Sequence, residues 1–248
     1  MSEQLSRTAA LLGDAAMDRL ASARVAVFGV GGVGGYVCEA LVRSGVGTLD
    51  VFDNDTVSIS NLNRQIIALH STIGQDKVSV IAARMRDINP HVTVNEHKMF
   101  YLPENADEVD LSVYDYVVDA VDTVAAKLEL AVRCEAGGIP LIAAMGAGNK
   151  LDPSRLQITD IYRTSVCPLA RAMRTALRKR GVKHLTVAYS TEEPVTPPAD
   201  APRLSAENGR TPPGSTAFVP SAMGLLIASH IIRRVFGVFD PFSRDSVG

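Results

Sequence analysis

The stretch "VAVFGVGGVGGYVCEALVRSGVGTLDVFDND", residues 25–55, decides the fold of this chain. A short apolar run leads into a glycine-rich turn, an amphipathic helix and a second apolar run that closes at Asp53. Gly29, Gly31 and Gly34 fit the spacing G-x-G-x-x-G directly after a strand, which allows a tight turn, a close approach of backbone to phosphate, and close packing of helix on strand. The pattern predicts a nucleotide site with phosphate at the helix N-terminus. The alternative is an α/β turn that holds no ligand.

The rest of the chain continues the alternation of strands and helices. Apolar strand patterns occupy about residues 91–97, 114–122 and 139–148, and helical patterns occupy 74–90 and 123–138. This order predicts an α/β fold with a Rossmann-like, doubly wound, mostly parallel sheet. Residues 151–248 form a smaller excursion with two more strands, a basic helix, a Pro-rich loop over 192–215 and a last apolar helix. We therefore expect one domain over residues 1–248, whose nucleotide-binding core spans residues 1–150.

Composition narrows the class of protein. The chain has 248 residues, a net charge of −2 and 46% hydrophobic residues, which are ordinary globular values. Three widely separated cysteines predict neither a disulfide framework nor a C-x-x-C zinc site. The N-terminus has no signal-peptide pattern, and the apolar stretch 217–236 falls short of a membrane span. We expect a cytoplasmic protein without zinc, without membrane contact and without a DNA partner.

The glycine loop alone does not distinguish NAD from ATP, but the residues after it favour ATP. Asp53 closes the second strand, where a carboxylate can bind ribose hydroxyls. Arg64 and Lys77 follow within two dozen residues, and their charges suit a triphosphate and a leaving pyrophosphate better than a dinucleotide. In the alternative, Arg64 pairs with Asp53 or Asp55 for structural reasons and Lys77 is a solvated helix residue.

Two acids in "VVDAVD" end the next core strand. Asp119 and Asp122 therefore lie at the carboxyl edge of the sheet, where ligands bind in doubly wound folds. An acid there can hold Mg²⁺ against phosphates. We favour Asp122 for this role, although Asp122 can also serve as a helix N-cap.

These motifs, in this order, resemble the ThiF/MoeB-type adenylating enzymes that are related to ubiquitin-activating enzymes. The resemblance is carried by "GVGGVGG", "DNDTVSISNLNRQ", Lys77 and "DAVD". It implies attack of a carboxylate on the α-phosphate of ATP, with Asp53 on ribose, Asn61, Arg64 and Lys77 on the phosphates, and Asp122 on Mg²⁺. It also implies a homodimer in which Arg7 reaches the partner's site. The remaining nucleotide-binding candidates are Gly29, Gly31, Gly32, Gly34, Asp55, Gln65 and Asp119.

Residues 146–194 resemble one branch of that family, the tRNA threonylcarbamoyladenosine dehydratases. This branch uses ATP to cyclise a modified adenosine beside the anticodon. Many other members activate a small ubiquitin-like protein and carry zinc pairs and a cysteine on the crossover loop. This chain has neither, since its Pro-rich loop 192–215 contains no cysteine. Activation of a ubiquitin-like sulfur carrier stays open as the alternative, and an NAD-binding oxidoreductase is a remote one. A sulfur-relay partner and a monovalent cation also stay open.

A basic stretch supports the tRNA interpretation independently. Residues 161–191 carry seven positive side chains and no acid within a chain of net charge −2. Clustered positive charge is what binding to a phosphate backbone requires, and a solvated basic face is the alternative. The tRNA-binding candidates are Arg171, Arg174, Arg178, Lys179, Arg180 and Lys183, with Arg163 nearby.

Overall fold

The computed structural model describes residues 3–202, 212–235 and 237, and they build one seven-stranded sheet. Six strands are parallel, and the edge strand β6 runs antiparallel to β7. The order across the sheet is β3-β2-β1-β4-β5-β7-β6. The strands are β1 (Arg24–Phe28), β2 (Thr48–Phe52), β3 (Thr93–His97), β4 (Tyr116–Asp119), β5 (Leu141–Ala144), β6 (Leu156–Asp160) and β7 (Thr186–Ser190). The predicted α/β fold with a doubly wound, mostly parallel sheet is confirmed.

Helices cover both faces of this sheet. They are α1 (Ser6–Leu12), α2 (Asp14–Ser22), α3 (Gly34–Arg43), α4 (Lys77–Ile88), α5 (Val124–Gly137), α6 (Pro168–Lys179) and α7 (Phe218–His230), which continues into a π-helical turn, Ile231–Val235. Local sequence explains several ends. Gly138 stops α5 in the left-handed conformation, and Pro168 occupies the first turn of α6, where its missing N–H costs nothing.

Strand order places the ligand crevice. The chain builds β1, β2 and β3 outward in one direction and then returns to place β4 on the other side of β1. At such a reversal the loops after neighbouring strands diverge and leave a crevice at their carboxyl ends. Here the crevice lies between the loops that follow β1 and β4, which are the glycine loop and the link to α5.

Alternating side chains of the strands supply two cores, one on each face of the sheet. Val25 and Val27 of β1 pack with α3, α4 and α7, whereas Ala26 and Phe28 pack with α5, α6 and residues 101–114. The N-terminal helices α1 and α2 were not predicted from the sequence. Leu5 and Met17 of this region pack against Gly45, so the segment is anchored beside the end of α3.

A buried polar network lies within the second face. Asp50 of β2 has no exposed area and accepts two hydrogen bonds of 2.9 Å from Arg24 and one of 3.1 Å from Asn95. His97 Nε2 lies 3.0 Å from Asp50 Oδ1, and the Tyr114 hydroxyl donates to the same oxygen at 3.3 Å. Burial alone would raise the pKa of Asp50, but the hydrogen bonds from Arg24, His97 and Asn95 hold this pKa below its ordinary value.

The described limbs of the Pro-rich loop meet at one residue. The N–H of Val195 donates to the carbonyl of Asn149, and the N–H of Asn149 donates to the carbonyl of Gly214, at 2.8 and 2.7 Å. The Glu192 carboxylate also accepts from the N–H groups of Leu151 and Asp152. Residues 203–211 of the predicted loop lie outside the described residues. In the part of the chain that the structure describes, every helix is too short or too polar to span a bilayer.

Candidate functional site

The glycine loop packs so tightly that two of its glycines cannot be replaced without movement. Gly29 has a φ of +84°, and a methyl group on it would lie 2.7 Å from the carbonyl oxygen of Ala120. A methyl group on Gly34 would lie 1.8 Å from the carbonyl oxygen of Gly29. At Gly31 the nearest atom would be Gln65 Nε2, at 3.6 Å. The first and third glycines therefore build the turn, while the second leaves space for a ligand.

Asp53 ties the end of β2 to this loop. One carboxylate oxygen accepts a hydrogen bond from the N–H of Val30, and the other accepts from the N–H of Asp55, both at 2.9 Å. Burial raises the pKa of Asp53, and the positive charge of Lys77 opposes that rise. Each oxygen keeps a free lone pair, so the carboxylate has the acceptors that ribose hydroxyls require.

Asn61 and Gln65 are buried beside the loop. The Asn61 side chain accepts from the N–H of Ser58 at 3.1 Å, which fixes its orientation in a capping box. The Gln65 side chain lies against Gly31, and its Oε1 atom is buried without a hydrogen-bond partner among the described residues. An unpaired buried acceptor is costly, so Oε1 needs a donor that the described residues do not supply, while Nε2 faces Gly31.

Arg64 does not pair with Asp53 or Asp55, and Lys77 is not a solvated helix residue, so the structural alternative for these two residues does not hold. Arg64 lies over the loop, with Cγ 3.5 Å from a methyl position on Gly32, and donates to the Ser60 carbonyl and the Asn63 side chain. No carboxylate lies within ion-pair distance of Arg64 in the described ranges. Lys77 is not solvated: its side chain is 7% exposed, and Nζ lies 2.7 Å from Asp55 Oδ2.

Asp119 ends β4, as the sequence predicts, but its side chain is buried. Its side chain has no exposed area, and Oδ1 accepts from Lys127 Nζ at 2.9 Å. Burial raises the pKa of Asp119, and the Lys127 ammonium opposes the rise. In this geometry the Asp119 carboxylate does not reach the crevice surface. The sequence analysis missed Lys127, although a lysine four residues into a helix after "DAVDT" was a visible signal.

Asp122 is exposed in the link between β4 and α5. Its only described hydrogen bond is a long one, 3.4 Å, from the Thr123 hydroxyl, and no lysine or arginine pairs with it among the described residues. A solvated carboxylate without a cationic partner is a suitable ligand for a hard cation. Within the described ranges no three His, Cys, Asp or Glu side chains gather as a metal site, so a metal here would need oxygen atoms from elsewhere.

The basic helix α6 presents its charges outward. Ala170, Met173 and Leu177 are buried, which leaves the opposite face to the basic side chains. Arg174 donates to the carbonyl and hydroxyl oxygens of Thr164, and the Arg178 guanidinium lies over the Tyr162 ring, 5.2 Å from its centroid. The other cationic groups are exposed: Arg163, Arg171, Lys179, Arg180 and Lys183.

Arg7 has no described contact with the crevice residues, and the cysteines are buried. Arg7 is exposed on α1, and no described contact joins it to the glycine loop, Arg64 or Lys77. All three cysteines are buried. Burial raises the pKa of Cys38 and of Cys134 to about 12, so neither thiol is a ready nucleophile.

Comparison with known proteins adds the following. The model of a family described as the ThiF family matches residues 3–246. The tRNA threonylcarbamoyladenosine dehydratase of Bacillus subtilis (strain 168) is 43% identical over 239 residues, which covers 94% of each chain. The Escherichia coli tRNA N6-threonylcarbamoyladenosine dehydratase, TcdA, solved in complex with ATP, superposes with a TM-score of 0.84 at 33% identity, covering 95% of this chain and 94% of that one.

The same E. coli protein has been solved in complex with AMP and superposes with a TM-score of 0.85 at 34% identity, over the same shares of the two chains. A more distant relative is the molybdopterin-synthase adenylyltransferase of E. coli (strain K12). It is 36% identical over 132 residues, which cover 51% of this chain and 50% of that protein.

Proposed function

Because the chain belongs to the ThiF family, we propose that it catalyses the ATP-dependent cyclising dehydration of threonylcarbamoyladenosine in tRNA, next to the anticodon. The observation that carries the proposal is that Asp53, Arg64 and Lys77 lie around the glycine loop at the carboxyl edge of the sheet. Relatives that carry this activity in their names match the chain over more than nine tenths of both lengths. Both the nucleotide-binding half and the C-terminal half contribute strands to one sheet, and we treat them as one domain.

In the first half-reaction the threonyl carboxylate attacks the α-phosphorus of ATP and pyrophosphate leaves, giving an acyl-adenylate. Asp53 binds the ribose, and the N–H groups at the start of α3 receive phosphate oxygens. Arg64 and Lys77 neutralise charge that builds on the leaving pyrophosphate. Lys77 is already desolvated, so its ammonium interacts with phosphate more strongly than a lysine in water would.

Mg²⁺ fits this site through Asp122. Magnesium in nucleotide enzymes is usually held by one or two carboxylates together with substrate phosphates, and Asp122 offers one carboxylate without a competing cation. When bound, Mg²⁺ would reduce repulsion between the triphosphate and the incoming carboxylate. The donor set agrees with oxygen-ligated Mg²⁺ and not with zinc, since all three cysteines are buried and apart.

In the second half-reaction the carbamoyl group of the same substrate attacks the activated acyl carbon. The new bond closes a ring, AMP leaves, a proton is released, and the nucleoside has lost one water overall. An intramolecular nucleophile has a high effective concentration, so the enzyme needs no nucleophile of its own. All three cysteines are buried, which agrees with a reaction that needs no enzyme thiol.

The exposed face of α6 is the proposed tRNA interface. Arg171, Lys179 and Lys183 have no ion pair among the described residues and can contact phosphates directly. The guanidinium groups of Arg174 and Arg178 are partly engaged by Thr164 and Tyr162. These two residues therefore contribute positive electrostatic potential more than direct contacts with phosphate. Arg180 lies at the end of the helix and completes the charged surface. Under this proposal the protein acts where tRNA is, in the cytoplasm.

A homodimer completes the proposal. Leu11 is 83% exposed and Ile59 is 71% exposed, and Phe218 and Leu225 share one exposed face of α7 because they are seven residues apart. Exposed apolar side chains of this size suit burial against a second copy of the chain. In the dimer Arg7 would reach the partner's nucleotide.

The second candidate is adenylation of a small ubiquitin-like sulfur carrier, favoured by the match of about half the chain to a molybdopterin-synthase adenylyltransferase. The two candidates share the first half-reaction and differ in the acyl substrate. A sulfur-relay protein belongs to this second candidate, because the first needs no sulfur.

The deciding experiment measures AMP and pyrophosphate release from ATP and Mg²⁺ with tRNA that carries threonylcarbamoyladenosine, followed by mass spectrometry of the nucleoside. The matched control is the same tRNA with unmodified adenosine. We expect release only with the modified tRNA and a nucleoside lighter by one water. Release only with a small protein ending in Gly-Gly would reject the tRNA proposal in favour of the sulfur-carrier candidate.

A further inference from the structure

Lys127 and Asp119 form the one ion pair in the described ranges whose two side chains both have zero exposure, and it lies directly behind the crevice. Lys127 is in the second turn of α5, and Asp119 is the last residue of β4. The 2.9 Å bond therefore connects the residue just before the link of residues 120–123 to a residue of the helix that follows it.

Stability alone does not account for this pair. The free energy needed to move two ions out of water often exceeds the free energy gained from their attraction. Proteins in which apolar side chains replace such a pair are frequently as stable as the original. Lys127 also lies near the N-terminus of α5, where the helix dipole disfavours a positive charge. A costly arrangement at the edge of a site points to a geometric role.

The pair fixes a link that touches the glycine loop. Ala120 donates its N–H to the Phe28 carbonyl at 2.8 Å, and its own carbonyl lies 2.7 Å from a methyl position on Gly29. Asp119 Oδ1 also accepts from the N–H of Val121 at 3.3 Å. A movement of this link would therefore be transmitted to the loop that holds phosphate.

One oxygen of Asp119 carries the whole arrangement. Oδ1 accepts from both Lys127 and Val121, while Oδ2 is buried without a partner among the described residues. The orientation of the carboxylate thus depends on two donors. Lys127 is the charged donor, and its hydrogen bond is the shorter of the two. Asp122, three residues later, has no comparable restraint of its own beyond the long bond from Thr123.

We infer that the Lys127–Asp119 pair is a positioning element, which fixes the link of residues 120–123 and so places the Asp122 carboxylate correctly for a divalent cation on the bound nucleotide. The inference rests on the proposed function, because it assumes that ATP and a divalent cation occupy the crevice. Lys127 and Asp119 themselves touch neither.

The test compares nucleotide binding with and without metal in a charge-free variant, Asp119→Asn with Lys127→Met. Binding of ATP to the full chain is measured by titration calorimetry in EDTA and in saturating Mg²⁺, without tRNA, and thermal unfolding reports folding. The control removes a half-buried ion pair on the same helix, Glu129→Gln with Arg133→Met, together with the pair that Arg133 forms with Asp107. A second variant, Lys127→Arg, retains the charge and tests for rescue.

We expect the charge-free variant to fold, to bind ATP in EDTA like the wild type, and to lose about 10- to 100-fold of the affinity gained from Mg²⁺, the range typical of groups that orient metal ligands. Lys127→Arg should keep most of the gain, and the control should keep all of it. An unchanged gain in the charge-free variant would overturn the inference, as would an equal loss with and without metal that follows a lowered unfolding temperature. A wild-type chain that binds no ATP would reject the proposed function itself.

Discussion

Replacing Lys77 by methionine separates the catalytic role of this residue from a structural one. Lys77 is buried, but its partner Asp55 is 59% exposed and is solvated when the lysine is absent. The loss of an ion pair with one solvated member costs about 0.2–1 kcal/mol of stability. If Lys77 also donates to phosphate, its loss removes a hydrogen bond to a charged group, worth about 1.5–3 kcal/mol. That corresponds to roughly a 10- to 150-fold decrease in kcat/KM for ATP.

The assay is the release of AMP from ATP in the presence of the modified tRNA, with urea unfolding measured on the same samples. Arg86→Met is the matched control, because Arg86 lies on the same helix and forms a 2.9 Å ion pair with Glu96 away from the glycine loop. We expect the control to retain wild-type kcat/KM. A Lys77→Met protein with wild-type kcat/KM, or one whose activity falls only in proportion to its unfolded fraction, would refute the phosphate role.

Three further predictions concern the glycine loop, the buried carboxylate of Asp50, and Arg7. Gly34→Ala should destabilise the fold, because its methyl group would lie 1.8 Å from a carbonyl oxygen, whereas Gly31→Ala should fold normally and lose ATP affinity in calorimetry; equal stability of the two proteins would contradict this. The pKa of Asp50 in the folded protein lies below the ordinary value of 3.8, so ionised Asp50 stabilises the fold fully above pH 3.8, and this contribution is lost as the pH falls through the folded pKa. In urea unfolding, the stability of an Asp50→Asn protein should therefore decrease less than that of the wild type between about pH 5 and pH 3. Mixing Arg7→Ala protein with Lys77→Ala protein should restore AMP release through heterodimers, and no recovery would remove the support for an arginine acting across the dimer.

The sheet and the glycine loop could be predicted because their signals are local. Each strand is a short apolar run, each helix has its own periodicity, and a spacing of glycines specifies a turn that only glycine can form. The same holds for Asp53, which follows a strand directly. Residue type and position along one element were sufficient for these predictions.

The partners of charged side chains could not be predicted, because they depend on which elements the fold brings together. The sequence analysis considered Asp53 or Asp55 as a partner for Arg64, and the structure pairs Asp55 with Lys77. It placed Asp119 on the nucleotide, and the structure buries this residue against Lys127. Successive side chains at the end of a strand point in opposite directions, so a shift of one residue decides whether an acid faces the crevice or the core. The apolar pattern of the strand does not determine which of the two occurs.

The residues that would contact the nucleotide, Mg²⁺ and tRNA remain predictions of the sequence and of the family resemblance. The geometry supports Asp53, Arg64 and Lys77 by bringing them together around the glycine loop. For α6 it divides the predicted basic surface into guanidinium groups that are partly engaged and ammonium or guanidinium groups that extend freely into solvent.

The convergence of both loop limbs on Asn149 has a consequence for how this fold can change. Val195 donates to the carbonyl of Asn149 and Gly214 accepts from its N–H, so the two limbs of the segment between them start and end at one residue. For a flexible segment closed at such a point, each doubling of its length adds only about 0.6 kcal/mol of closure entropy. We therefore expect changes in the length of this segment to cost little stability, as long as the two hydrogen bonds with Asn149 persist.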